Sequence, residues 1–246
     1  MYKISKHFLI INNQDCENNM KKFTTMQLIF HKIKKLMVPI MSNFNKKKLN
    51  NIDFTIISNN CWAGVCYEYF NLPKNSPTIG SYFFADDYIK LIKNLKFYFS
   101  KELEIINAND SKHFQILKEI GQLDIPIGKL DDIELVLLHY KNPIVAREKW
   151  KRRVERINWD NIIVKFSQMS KCTDEHIKEF QKINGIKKFC FVPKKFENME
   201  DLYLYPSCIN SLNDIGDDVF YWNRYINVID LINKPITGIN QIKISN

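Results

Sequence analysis

Two hydrophobic rhythms divide the chain near residue 52. Upstream, Met26, Ile29, Phe30, Ile33, Leu36, Met37, Ile40 and Met41 recur at the i, i+3, i+4 spacing of one helix face, with Gln27, Lys32, Lys34 and Lys35 between them. The spacing predicts a basic amphipathic helix ending near Pro39. Downstream, short runs rich in β-branched and aromatic residues alternate with amphipathic stretches. DFTIIS (53–58), IELVLLHY (133–140), NIIVKF (161–166), KKFCFV (187–192) and LYLY (202–205) read as strands. The stretches 86–103, 143–157 and 173–183 read as helices, with one more from about Asp217. Strand, helix and strand in succession predict an α/β fold, a mostly parallel sheet flanked by helices in three layers, Rossmann-like in outline.

Local signals support several of these boundaries. Asn142 before Pro143 is an N-cap with proline in the first turn, and Thr173 stands ahead of the early acids Asp174 and Glu175. Ser76-Pro77-Thr78-Ile79-Gly80-Ser81 reads as an ordered turn. The expected organisation is a basic leader over residues 1–51 and a single domain over residues 52–246.

Charge sharpens that division. The 246 residues carry 36 basic and 27 acidic side chains, and residues 1–51 alone hold ten lysines and two acids. The remaining 26 and 25 leave the body nearly neutral, so the positive charge belongs to the leader. A nucleic-acid-binding body is therefore not expected, whereas an anionic membrane surface is an expected partner for residues 25–48. The other reading of the same helix packs its apolar stripe on the domain and leaves the lysines in water. The six cysteines follow no regular spacing, and neither a secretory signal nor a long apolar run is present, which together point to a reducing cytoplasm.

Candidate chemistry gathers where strands end. In an open parallel sheet ligands bind beyond the carboxyl ends of the strands. The first strand ends in Ser58, Asn59, Asn60, Cys61 and Trp62, and the 133–140 run ends in His139 and Tyr140. Ser58, Asn59, Asn60, Trp62, Ser76, Tyr140 and Arg147 are the binding candidates. His139 is a candidate general base and Cys61 a candidate nucleophile. Each has a plainer reading: the asparagines as caps, Cys61 and Trp62 as core, His139 as a satisfied core histidine. Arg147 is singled out on its helix because it sits near the first turn, whereas Lys149, Arg152, Arg153 and Arg156 are expected on a solvated face. No glycine-rich dinucleotide motif, phosphate loop, nucleophile elbow or zinc spacing is found, so no metal is expected.

FTIISNNCWAG (54–64), NSPTIG (75–80), PIG ahead of LDDIELVLLHY (126–140) and AREKWKRRVERINWDNIIV (146–164) together resemble a bacterial family catalogued as DUF1919. Its members are often labelled exopolysaccharide biosynthesis proteins. The likeness covers about residues 50–205, with Ala63 standing where the family pattern has glycine. The resemblance implies a cytoplasmic protein, peripheral at the inner membrane face, that handles a sugar nucleotide or glycan. The leading expectation is a transferase of surface polysaccharide synthesis acting on an activated sugar or lipid-linked glycan. Two others stand beside it: a Cys61–His139 hydrolase or acyltransferase, and a non-catalytic glycan-binding or assembly factor.

Overall fold

A computed structural model describes residues 39–140, 142–206, 209 and 214–235. Most of the expected leader helix, residues 26–38, lies outside the described residues. Residues 39–46 are helical, so Pro39 lies within helical backbone and does not end it. In chain order the body comprises β1 (Thr55–Ser58), α1 (Trp62–Tyr69), α2 (Ala85–Lys93), α3 (Leu95–Phe99), β2 (Glu104–Ile106) and α4 (Phe114–Glu119). There follow β3 (Ile127–Leu130), β4 (Ile133–Val136), α5 (Pro143–Val154), β5 (Ile162–Ser167), α6 (Asp174–Gln181), β6 (Lys187–Val192), β7 (Leu202–Leu204) and α7 (Val228–Asn233).

Two sheets share the work. A four-stranded sheet in the order β1-β5-β6-β7 is parallel throughout, with Thr55 opposite Ile162 and Ser58 opposite Lys165. A three-stranded sheet, β2-β3-β4, is antiparallel. The fold class is thus α/β, but the 133–140 run is not a strand of the parallel sheet. Its pairing stops at Val136, because residues 133–136 turn back on β3 through Asp131 (φ 58°). Leu137 still packs in the core, which is why the apolar run outlasts the strand.

β1, β5 and the second half of β6 bury both faces, the condition that produces continuous apolar runs. Ile57, Val164, Phe166, Cys190 and Val192 join a cluster with α2, α5, α6 and the antiparallel sheet. Phe54, Ile56, Ile163, Phe189 and Phe191 join another with α1, α7 and Trp222. The expected helix over 86–103 is broken at Asn94 (φ −146°) into α2 and α3. In the tail, the helix expected from about Asp217 is replaced by a short 3-10 turn, Trp222–Arg224, and by α7. Asn142 caps α5 as expected, its Oδ1 accepting from Ile144 N at 2.8 Å. Thr173 caps α6 together with His176, whose Nδ1 accepts from Thr173 N at 3.0 Å.

Segment 78–84 sews the two sheets together. Tyr82 exchanges backbone hydrogen bonds with Val136 at 3.0 and 2.8 Å, and the next residue, Phe83, donates to Asn59 O at 2.9 Å. This brings the end of β4 to the carboxyl end of β1 without a shared ladder.

Candidate functional site

The junction encloses a cavity of about 450 Å³. Its lining includes Asn60 and Cys61 from the end of β1, His139 and Tyr140 from beyond β4, Lys149 and Arg153 from α5, Lys74, and Asp217 and Phe220 from the tail. The imidazole and the thiol therefore share one hollow, although they come from different sheets. Gly80 lies beside His139, whose backbone N–H donates to Gly80 O at 3.0 Å. Its φ of +82° suits glycine, and a Cβ there would stand 3.1 Å from the Tyr140 ring and 3.5 Å from His139 Cβ.

The residues of FTIISNNCWAG divide sharply by role. Ser58 is buried; its hydroxyl donates to Asn60 O at 2.6 Å and accepts from Ala63 N at 3.3 Å, closing the turn into α1. Asn59 is buried behind the cavity and donates to Ser167 O at 3.1 Å. Trp62 is fully buried among Phe189, Phe191 and Trp222, with ring centroids 5.2, 6.4 and 5.3 Å away, so it is core and not a ligand platform. Ser76 is buried against Thr78 at 3.1 Å and also lies off the lining. Of the expected binding residues only Asn60 and Tyr140 reach the cavity, with the expected catalytic pair, His139 and Cys61.

Asn60 is engaged on every side. Its Nδ2 donates to Asp218 Oδ1 at 2.7 Å, and its Oδ1 accepts from Trp62 N at 3.2 Å and from Lys165 Nζ at 3.0 Å. Behind it Lys165 and Asp218 form an ion pair with both side chains fully buried, and Ser167 Oγ donates to the same carboxylate. Burial pulls the Lys165 ammonium below the usual lysine range, and the Asp218 carboxylate pulls it back up. The Lys165 ammonium also lies 5.6 Å from the Phe191 ring centroid and 5.9 Å from that of Trp62. Sequence periodicity passes over this network, because Lys165 stands inside an apolar run and Asp218 is far along the chain.

Arg147 does not reach the cavity; its Nε donates to Leu103 O at 3.2 Å. The cationic residues of α5 that line the hollow are Lys149 and Arg153, one helical turn apart on another face. The reversal follows from β4. Because β4 belongs to the antiparallel sheet, α5 does not start from the parallel-sheet crevice and instead lays its second half against Ile79 and Tyr140. Arg153 Nη1 donates to Ile79 O at 3.0 Å and to the Tyr140 hydroxyl, which itself donates to Ile79 O at 2.7 Å. Lys149 Nζ lies 5.6 Å from the centre of the Tyr140 ring. Among the described residues neither cation has a carboxylate within ion-pair distance. Arg152 and Arg156 are exposed, as expected, but Lys149 and Arg153 are not on the expected solvated face, because the packing of α5 on Ile79 and Tyr140 turns them into the cavity.

The ionisable groups have different chemical settings. Partial burial, followed by the Lys74 ammonium, holds the His139 imidazole below its usual range, so it is neutral near pH 7. Burial and the charges of Asp217 and Asp218 push the Cys61 thiol up to about 12, and its sulfur lies 3.9 Å from Ser81 O. A thiol in that state is protonated and a poor nucleophile. Asp217 is pushed up to about 6, chiefly by burial.

A second cavity, of about 550 Å³, lies among α2, α6 and the segment before α4. Buried Asp87 meets Lys112 Nζ and His113 Nε2 there, each at 2.5 Å, and His176 Nε2 is 2.8 Å from Asp86 Oδ1. Among the described residues no group of three or more His, Cys, Asp or Glu is arranged to hold a metal ion.

The fold and site thus define a mixed α/β protein whose cation-lined hollow, largely apolar in its walls, is built at the seam between a parallel and an antiparallel sheet. The chain belongs to the DUF1919 family, a domain of unknown function whose model matches residues 32–233. It is similar to an uncharacterized protein of Haemophilus influenzae, 26% identical over 191 residues, covering 76% of this chain and 86% of that one.

Proposed function

We propose that the protein is a group-transferring enzyme whose seam cavity takes a phosphate-activated sugar or lipid-linked glycan, with His139 as general base. The observation that carries this reading is the meeting of a neutral imidazole with the α5 cations Lys149 and Arg153 in one hollow. The two cations match the charge of a phosphate or diphosphate, and the planar guanidinium of Arg153 matches the spacing of its oxygens. Val65, Ile79, Leu138 and Phe220 supply an apolar wall for the uncharged part of the ligand.

In the transfer step the acceptor hydroxyl gives its proton to His139 as its oxygen bonds to the anomeric carbon. The bond from that carbon to the donor phosphate oxygen breaks, and the departing phosphate keeps the electron pair. Its growing charge faces Arg153 and Lys149. Asn60 serves this site by holding its floor and the start of α1, since its amide is already committed to Asp218 and Lys165. The resemblance to proteins labelled for exopolysaccharide biosynthesis favours a glycan as the acceptor. It also favours a cytoplasmic place at the inner membrane face and a three-layer, Rossmann-like view of the parallel sheet.

A thermal-shift screen of nucleoside diphosphate sugars tests the reading. At least one is expected to raise the melting temperature, and Lys149→Ala is expected to abolish the rise without changing the melting temperature of the unliganded protein. A flat screen overturns the proposal in favour of an assembly factor. Iodoacetamide at neutral pH separates the cysteine hydrolase alternative: the raised Cys61 thiol predicts slow labelling, indifferent to His139→Ala. Fast, His139-dependent labelling would replace a base-catalysed transfer with a covalent one.

A further inference from the structure

The helical segment over residues 39–46 is inverted relative to an ordinary surface helix. Ser42 and Asn45 are buried, and Leu49 beyond them packs on the core cluster that holds α1 and α7. The opposite face carries Ile40, Met41 and Phe44, which are 64%, 57% and 62% exposed. These positions are one and four residues apart, so the three side chains form one stripe. A surface helix in water places its apolar stripe on the protein and its polar residues outward. Here small polar residues face the protein and large apolar ones face out.

The inverted helix is fastened in place. Asn71 Nδ2 donates to Asn43 Oδ1 at 2.8 Å, Asn50 N donates to Asn233 Oδ1 at 2.8 Å, and Asn233 Nδ2 donates to Lys48 O at 2.8 Å. Immediately after the stripe come Lys46, Lys47 and Lys48, and the Lys48 ammonium lies 4.5 Å from the centre of the Phe44 ring. An apolar stripe bordered by lysines that lean over it is the arrangement of a helix lying in a bilayer interface, side chains in the acyl boundary and ammonium groups among anionic headgroups. The stripe also continues the upstream sequence pattern, since Ile33, Leu36 and Met37 fall at the same spacing, and residues 1–51 carry ten lysines against two acids. Among the described residues no helix is long and apolar enough to cross a membrane, so an interfacial role needs no span.

We infer that residues 39–48 are an interfacial docking element for an anionic lipid surface, with Ile40, Met41 and Phe44 entering the bilayer and Lys46, Lys47 and Lys48 meeting its headgroups. The docking element is also a neighbour of the cavity. Asn71, which bonds the helix, is three residues from Lys74 in the cavity lining, a span of roughly 10 Å of extended chain. A lipid-borne substrate would then meet the cavity from the membrane side. The lipid-binding inference itself does not depend on what the cavity does.

Co-sedimentation of the full chain with vesicles tests it, using phosphatidylcholine containing about one-third phosphatidylglycerol against phosphatidylcholine alone. The chain is expected to sediment with the anionic vesicles and to be released by high salt. Replacing Ile40, Met41 and Phe44 together by serine should weaken binding on the order of tenfold for each side chain lost. Replacing the three lysines by glutamine should remove the preference for anionic lipid. All six positions face solvent or are half exposed, so both variants are expected to keep the parent's melting temperature and elution volume. Failure of the parent to sediment overturns the inference, as does binding unchanged in the serine variant. So does a serine variant that alters oligomeric state or stability, since the stripe is then covered by a second copy or by the chain's own upstream residues.

Discussion

Asp218 and Asp87 are both fully buried carboxylates that meet a lysine, yet their settings have little else in common. Lys165, the partner of Asp218, is sealed from water with it, and Asn60 and Ser167 complete the shell. Lys112, the partner of Asp87, has a side chain 40% exposed, and His113 gives Asp87 a second contact. Desolvating two charges costs several kcal/mol per ion before their attraction repays it, so the sealed pair is held by its surroundings and fails badly when one member is lost. The open pair keeps its lysine near water and has a spare partner. One network therefore behaves as a keystone under the candidate site, the other as a local fastening of α2 to the segment before α4.

Breaking the sealed pair is the strongest test of that difference. Lys165→Met leaves a lone carboxylate in the interior and should lower unfolding stability by about 3–5 kcal/mol in urea titration. Adding Asp218→Leu should return most of the loss, because the apolar double replacement removes both desolvation penalties. A single variant costing no more than a surface lysine would show that the pair is hydrated and the contrast false.

Asp217, beside the sealed pair, sharpens the comparison through pH. Its folded-state pKa, about 6, is raised above the ordinary carboxyl value of 3.8, so between these values the folded protein binds more protons than the unfolded one. Its contribution is fully present below the unfolded value and is lost as pH rises through about 6. Asp217→Asn should accordingly be more stable than the parent near pH 7, by about 1–2 kcal/mol, and no more stable near about pH 4. An advantage independent of pH would assign the effect to packing.

The smallest change is expected at the open pair. Lys112→Met should cost about 1 kcal/mol or less, since Asp87 keeps His113 and the lysine was already partly hydrated. A loss equal to that of Lys165→Met would erase the distinction.

The parts of the molecule legible in the sequence are those dictated by near neighbours. KKFCFV is the strand Lys187–Val192, and Asn142-Pro143 opens α5, because alternation and capping are local facts. β2 and β3 escaped notice: Glu104–Ile106 is three residues long, and Ile127–Leu130 contains Gly128, whose added Cβ would stand 2.8 Å from Leu103 and Leu135 side-chain atoms. His139 lines the hollow from beyond an antiparallel strand, not from the end of the parallel strand that the apolar run 133–140 suggests. The hollow forms instead because Tyr82 bridges to Val136 and Phe83 to Asn59, pairings that local periodicity does not encode. The same blindness explains Arg147, chosen for its place on the helix when the packing of α5 decided in favour of Lys149 and Arg153. Trp62 shows the converse error, a conspicuous residue beside candidate chemistry that is simply core.

The wall that Asp217, Val219 and Phe220 give the cavity has a bearing on the order in which the molecule is made. β1, α5 and β5 leave the ribosome well before Asp218, so a nascent chain can assemble both sheets while Lys165 still waits for its counter-ion. Until residues 217–220 have been synthesised, the hollow stays open on one side, and translation that stops short of them yields a scaffold without a finished pocket.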